Sequence, residues 1–429
     1  MCGLAFWLQF HTPTQWRDCA EVFPEALVEA EAFAAAAAAL PRRGPDSEGE
    51  SLVELSGGEL HLRACVLHLR GDCVVSQPCP VESKQEEAGL LLFNGEAYEV
   101  LPGASGQSHC QELEGEEFGA AINLYRLRAG GRAWRQAAGQ GLQLAGSDTL
   151  WLAARMAALE DATPGRDWEP LAAALRGLLQ GLHGPFALAL WCPRRRAVFV
   201  ARDRLGRRSL VAARSACGGC IASAPGGAAD KWKELPVTGI FVFHLSEEPS
   251  VHHVPWEEPV AFEQSWWWGS AAAAPAAPLA TFGELLASAV ALRVLHVAQL
   301  SGGAKDVPHV GLLFSGGLDS TVLAALTAEA LPGHTIELLN VAFDSSAPDR
   351  LTALCSYEDL VGQYGPQRFR LVLCDITQQE VYEEELAICR LVVYERYEGQ
   401  AAEHIHAESR FQPLHAIPDA ASSADVPAH

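Results

Sequence analysis

Basic charge is scarce in this sequence. Against 53 aspartates and glutamates stand 31 lysines and arginines, a net charge of −22. That balance argues against a nucleic-acid backbone or an anionic membrane surface as a partner. Long apolar runs are missing as well, since no uninterrupted stretch approaches the ~20 residues of a membrane span. The first residues carry no basic region ahead of an apolar one, so a soluble cytoplasmic protein is expected. A cysteine framework is lacking too. The 12 cysteines are scattered through the chain, which predicts reduced thiols rather than disulfides. The one CxxC, Cys217 to Cys220, has no second pair, and a glycine turn between strands accounts for it better than redox or zinc chemistry.

What is present suits two buried cores. The chain has 429 residues, 49% of them hydrophobic, and domains commonly run to ~100 to 200 residues. Residues 2–246 are mostly short apolar runs broken by Gly, Pro and charge, such as HLRACVLHLRG, GLLLFNGEAY and GPFALALW, which predict a layered sheet structure. Helices are predicted over 25–40, rich in Ala, Leu and Glu, and over 148–160, opening on aspartate. Residues 247–280 hold prolines, an alanine run and three consecutive tryptophans, the composition of a connector. From 281 to 400 helix and strand alternate: helix 281–299, strand 309–314, helix from 319, strand 336–343, helix 350–363, strand 368–376 and helix 378–394. Apolar strands in that alternation predict a parallel sheet covered on both faces. Residues 401–429 lack periodicity and read as a disordered tail.

Chemistry is concentrated in two places. In LLFSGGLDSTVL, Ser315, Gly316, Gly317, Leu318, Asp319 and Ser320 follow a buried strand and open a helix. Backbone N–H groups and hydroxyls there converge on a helix N-terminus, which stabilises anions. The loop has no lysine and is not GxxxxGK(S/T), so the P-loop nucleotidases are excluded. The other place is the start, MCGLAF. If Met1 is removed, Cys2 carries a thiol beside an α-amine that titrates near ~7.7 to 8.0, so nucleophile and base share one residue. A merely small residue at position 2 is the alternative.

SGGLDS resembles the pyrophosphate loop of the ATP pyrophosphatase superfamily. With a cysteine at position 2, the chain resembles glutamine-dependent asparagine synthetase: a class II glutamine amidotransferase domain of the N-terminal nucleophile fold, with stacked antiparallel sheets, ahead of an α/β doubly wound ATP pyrophosphatase domain. The other amidotransferase motifs follow in order. RRGPD (42–46) resembles the family's RxRGPD loop, LHLRG (67–71) the segment whose arginine, here Arg70, grips the glutamine α-carboxylate, FNGEAY (93–98) the NGE motif and GSDT (146–149) the SD motif. GPFALALW and ARDRLGRRSL resemble its GMFAF and RDxxG strands. The resemblance implies Cys2 as nucleophile, Asn94 and Gly95 as oxyanion donors, and Glu96 and Asp148 as partners of the α-ammonium. Taken alone, Asn94 to Glu96 reads as a hairpin turn, Asp148 as a helix N-cap and Arg70 as a surface charge. For the nucleotide, the resemblance implies ATP on Ser315, Gly316, Gly317, Asp319 and Ser320, with the backbones of Leu313 and Val341 against adenine. Mg²⁺ would be held by Asp319, whose alternative is helix capping, and SAPDRL (346–351) resembles the SPD stretch. Alternation alone makes Leu313 and Val341 core residues.

Within the family, the branch of asparagine synthetase domain-containing proteins is the most similar. Two departures stand out. Ala224 occupies a position where asparagine synthetases usually carry glutamate, and the second phosphate motif, GxGADExxxGY, is missing with the helical half that follows it, so the second domain reads as truncated. The implied activity is glutamine-driven amidation of aspartate with ATP, and glutamine and aspartate are the implied substrates. The alternatives are a noncatalytic scaffold or glutamine-sensing regulator, and a fragment of a longer synthetase-like protein.

Overall fold

The computed structural model describes residues 2–100, 142–143, 146–257, 278–295, 297, 310–343 and 347–380, apart from positions 14, 15, 30, 72, 85, 86, 227, 228, 247 and 378. Two six-stranded antiparallel sheets dominate the first part. The first runs, across the sheet, Lys233–Glu234, Val211–Ser215, Gly218–Ala222, Gly3–Phe10, Gly58–Val66 and Ser47–Leu55. The second runs Ser250–Pro255, Gly239–His244, Ala197–Arg202, Phe186–Cys192, Gly89–Gly95 and Cys79–Val81.

Side-chain alternation builds the layers. Leu4, Phe6 and Leu8 of the first sheet meet Leu92, Ala187, Ala189, Val200 and Phe241 of the second in one buried cluster. Ala5, on the other side of the same strand, joins Ala36 and Leu40 in a cluster that takes in helix Glu31–Ala38. Leu91, Phe93, Leu188 and Leu190 likewise face outward onto helices Asp148–Ala162 and Glu169–Gln180. The order is helix, sheet, sheet, helix. Strands Phe186–Cys192 and Ala197–Arg202 are buried at every position because both faces of their sheet are covered.

RDRLG is the knot of this sandwich. Arg202, 2% exposed, donates to the carbonyls of Arg208, Leu235 and Gly206 at 2.7 to 2.9 Å. Buried Asp203 accepts from the N–H groups of Phe186, Leu205 and Arg207 and from Arg207 Nε, at 3.0 to 3.2 Å. Asp203→Ala strands the buried Phe186 N–H, at ~1 to 3 kcal/mol, and removes three part-buried hydrogen bonds from Leu205 and Arg207. A loss of about 3 kcal/mol in unfolding free energy is expected from urea titration; less than about 1 would mean that the knot is not what ties these strands.

Several expected boundaries move. The helix expected over 25–40 spans only Glu31–Ala38, followed by a 3-10 turn Leu40–Arg42, and helix Glu169–Gln180 was not foreseen. The first unit does not stop at 246. Strand Ser250–Pro255 completes the second sheet, and Trp256 Nε1 donates to Val237 at 2.7 Å, so the connector begins later than 247. Its far end is shorter too, because a helix starts at Pro278 and runs to Val294. The CGGC stretch is a hairpin, with Gly218–Ala222 paired to Val211–Ser215.

The second part holds a three-stranded parallel sheet, Val310–Leu313, Ile336–Ala342 and Phe369–Asp375. Helices Leu318–Ala330 and Pro348–Tyr364 connect the strands and pack with Phe314, Leu338 and Phe369. Helix Pro278–Val294 lies against the first of these through Val290 and Val294. The expectation of helices on both faces fails among the described residues, and so does the core reading of Leu313 and Val341, which are 78% and 43% exposed. Strand order follows chain order, and right-handed crossovers in that order put both connecting helices on one face. The other face would need a reversal of strand order. Most of the expected helix 378–394 and all of the 401–429 tail lie outside the described residues, as does Ser346 of SAPDRL.

Candidate functional site

One pocket at the edge of the sandwich is lined by Cys2, Leu67, His68, Arg70, Gly95, Glu96 and Asp148. Cys2 stands immediately before strand Gly3–Phe10. Its sulfur accepts the Leu67 N–H at 3.3 Å and lies 3.5 Å from the Leu67 carbonyl, and its own carbonyl accepts from Arg43 Nε at 3.3 Å. The RRGPD loop is thereby tied to the Cys2 backbone. Asp46 steadies the next segment by accepting the His68 N–H at 2.7 Å. Burial pushes the Cys2 thiol above its ordinary range; the Leu67 N–H and Arg208 pull it back down, whereas Asp148 adds to the rise. A thiol so placed needs a base to become a nucleophile.

Arg70 is not a surface charge. It is 6% exposed, donates to the Ala97 carbonyl and lies over the Tyr98 ring. Asp148 is not the helix N-cap, which is Ser147. Its carboxylate accepts the Ala97 N–H at 3.1 Å and the Thr149 N–H at 2.8 Å. Arg70 and Asp148 thus grip the peptide groups on either side of Ala97, directly after the NGE motif. Burial raises the Asp148 carboxyl, and Arg70 and the two N–H groups oppose the rise. Glu96 pairs with Arg208 at 3.4 Å.

Asn94 and Gly95 end strand Gly89–Gly95, opposite Ala187 and Phe186. A Cβ on Gly95 would come within 2.3 Å of the Pro185 carbonyl, so no side chain fits there. Asn94 is 1% exposed, and neither its amide nitrogen nor its amide oxygen has a partner. Leaving such a group unpaired costs ~1 to 3 kcal/mol, which a preorganised donor at a reacting centre would explain. Arg43 and Arg208 had no assigned role in the sequence, although both sit inside quoted motifs. Their double-arginine context was the available signal.

The nucleotide set lies in the second part. Gly316 has φ +79°, and a Cβ there would meet Ala353 N at 2.3 Å, so the loop presses on helix Pro348–Tyr364. Ser356 Oγ donates to Gly316 O at 2.7 Å, and Asn340 Nδ2 holds Phe314 O at 2.9 Å. Ser315, Gly317 and Ser320 hydrogen-bond among themselves at 3.1 to 3.3 Å. Asp319 is exposed in the first turn of helix Leu318–Ala330. Among the described residues no group of three or more His, Cys, Asp or Glu side chains is placed to hold a metal ion, and no helix is long and apolar enough to cross a membrane.

Comparison with known proteins bears on both parts. A family model described as a glutamine amidotransferase domain matches residues 149–226. Over 426 residues the chain is 24% identical to the asparagine synthetase domain-containing protein CG17486 of Drosophila melanogaster, covering 83% of this chain and 66% of that protein. At that identity the chain is similar to the asparagine synthetase domain-containing proteins. Another relative, asparagine synthetase domain-containing protein 1 of Bos taurus, is 22% identical over 385 residues, covering 71% of this chain and 52% of that protein. The chain spans about two thirds of the length of the fly protein and about half that of the bovine one. Among solved structures, the B. subtilis glutamine phosphoribosylpyrophosphate amidotransferase complexed with ADP and GMP is similar with a TM-score of 0.34 at 13% identity, over 86% of this chain and 90% of that one. A structure titled as the allosteric regulatory enzyme of purine biosynthesis has a TM-score of 0.35 at 12% identity, over 86% and 80%.

Proposed function

We propose that the chain hydrolyses the side-chain amide of glutamine at Cys2, as an amidotransferase of the N-terminal nucleophile type, and passes the ammonia to an asparagine synthetase-like domain. The observation that carries the reading is the buried, unpartnered amide of Asn94 on the strand that also brings Gly95 and Glu96 to the Cys2 pocket. Once Met1 is removed, the Cys2 α-amine takes the thiol proton and the sulfur adds to the amide carbon. The Asn94 amide and Gly95 N–H receive the oxyanion. The C–N bond breaks as the proton passes to the leaving ammonia, and water then cleaves the thioester to glutamate and free thiol. Arg70 holds the α-carboxylate by a planar fork, and Glu96 and Asp148 hold the α-ammonium.

The SGGLDS loop fits a polyphosphate. It is open at Gly317, where a Cβ would meet nothing closer than Ser315 Oγ at 3.5 Å, and it begins a helix of 13 residues. In this reading Ser315, Gly316, Gly317, Asp319 and Ser320 hold the ATP phosphates, and the backbones of Leu313 and Val341 border adenine. Asp319 would be the residue to hold Mg²⁺, since its carboxylate is a hard oxygen ligand suited to that ion. When bound, ATP would supply activation of the aspartate β-carboxylate. The chain would act in the cytoplasm on glutamine and aspartate.

The test is glutamate release by purified chain whose first residue is Cys2. Arg70→Lys should raise KM for glutamine about tenfold or more through loss of the bidentate fork, with a smaller change in kcat. No glutamate from wild type, and no labelling of Cys2 by a glutamine-mimicking electrophile, would end the catalytic reading.

A further inference from the structure

Arg208 lies in the RDRLGRRSL stretch. Its backbone is fixed from two sides. Arg202 Nε donates to its carbonyl at 2.8 Å. Its neighbour Ser209 donates to the Ser223 carbonyl at 2.7 Å, and Ser223 exchanges hydrogen bonds with Leu4 at 2.8 and 3.0 Å. Leu4 is two residues from Cys2, so the arginine is braced against the strand that carries the thiol. Its side chain, 12% exposed, reaches Glu96 Oε1 at 3.4 Å, and its Nε is buried without a partner. A surface ion pair has neither that burial nor that bracing.

We propose that Arg208 is a positioning residue of the glutaminase site: it holds Glu96 by one carboxylate oxygen and sets a fixed positive charge near the Cys2 thiol. The inference rests on the reading that this pocket binds glutamine. With Oε1 occupied by Arg208, Glu96 keeps Oε2 for the substrate ammonium and presents it in one orientation. The charge acts on the thiol as well. The groups around Cys2 are Arg43, bonded to its carbonyl, the Leu67 N–H, Cys65, the pocket-lining His68, Arg70, Glu96 and Asp148, the chain's amino terminus and Arg208. Burial and Asp148 disfavour the thiolate, whereas Arg208 favours it. Removing Arg208 leaves Asp148 less opposed.

The two roles separate on substitution. Arg208→Met removes charge and fork together, and Arg208→Lys keeps the charge. Alkylation of Cys2 by iodoacetamide, followed by peptide mass mapping over a pH series, reads the charge without needing turnover. The midpoint should shift to higher pH in Arg208→Met and stay near wild type in Arg208→Lys. KM for glutamine should rise about tenfold in Arg208→Met and by less, with kcat nearly kept, in Arg208→Lys. Melting temperatures accompany both. If Arg208→Met does not fold, the lysine variant decides: wild-type KM and midpoint together would overturn the holding of Glu96. A folded Arg208→Met with a wild-type alkylation midpoint would overturn the charge role. Absence of turnover in wild type would sink the amidotransferase reading alone, because the alkylation profile still reports on Arg208.

Discussion

Cys2→Ala is expected to lower glutamine hydrolysis by at least about 10⁴-fold, to the level of the uncatalysed background, because a nucleophile and its base act as a unit. The thiol is the only atom of Cys2 that can form the thioester. Its surroundings bind it by backbone groups alone, the Leu67 N–H and carbonyl, so the substitution should leave folding nearly untouched. Cys2→Ser is the sterner test. A hydroxyl fits the same space but ionises far less readily than a thiol, and it should recover little of the rate. The comparison needs chain whose first residue is position 2, verified by intact mass. Residual hydrolysis above about one hundredth of wild type in Cys2→Ala would remove the nucleophile from this residue.

Asn94→Ala should lower kcat by about 10²- to 10³-fold while leaving KM for glutamine within a small factor, the signature of a donor acting on charge that develops only in the transition state. It should also leave stability unchanged or slightly raised. Neither polar atom of the Asn94 side chain has a partner, so truncation breaks no hydrogen bond and relieves a buried amide of its unmet demand. Falling rate with undiminished stability distinguishes a preorganised donor from a structural asparagine. Asn340 is the contrast: its Nδ2 holds both Phe314 O and Asp349 O, and Asn340→Ala should cost stability. If Asn94→Ala melted well below wild type, its amide would be serving the fold.

The pocket was legible in the sequence to the extent that its residues lie in short local motifs. LHLRG, FNGEAY and GSDT each hold their candidate residues within four to six positions, and the structure brings Cys2, Arg70, Gly95, Glu96 and Asp148 to one pocket. Roles that depend on residues far apart were not legible. Arg208 meets Glu96 across 112 positions, and no spacing rule reports that. The open face of the parallel sheet escaped as well, because Leu313 and Val341 alternate as core residues do, and periodicity marks a face without saying what covers it. Helix 31–38 was overextended because Glu25 to Glu29 are good helix formers that are instead drawn into a bridge between Leu27 and Arg214. Strand 250–255 reads as connector in the sequence because its neighbours are rich in proline and glutamate, while its pairing with Gly239–His244 is invisible without the sheet.

The strand that follows Cys2 is central in its sheet, pairing Ala5 with Ala222 on one side and Ala5 with Arg63 on the other. At ~5 to 20 residues per second, a ribosome needs roughly 10 to 40 seconds after making the first strand before its second partner emerges. Throughout that interval the strand lacks its second partner, and under the proposed function Met1 would be open to removal before pairing on both sides is complete. If Cys2 acts as the proposed nucleophile, its exposure would therefore be timed by translation: slower elongation would lengthen the window for processing.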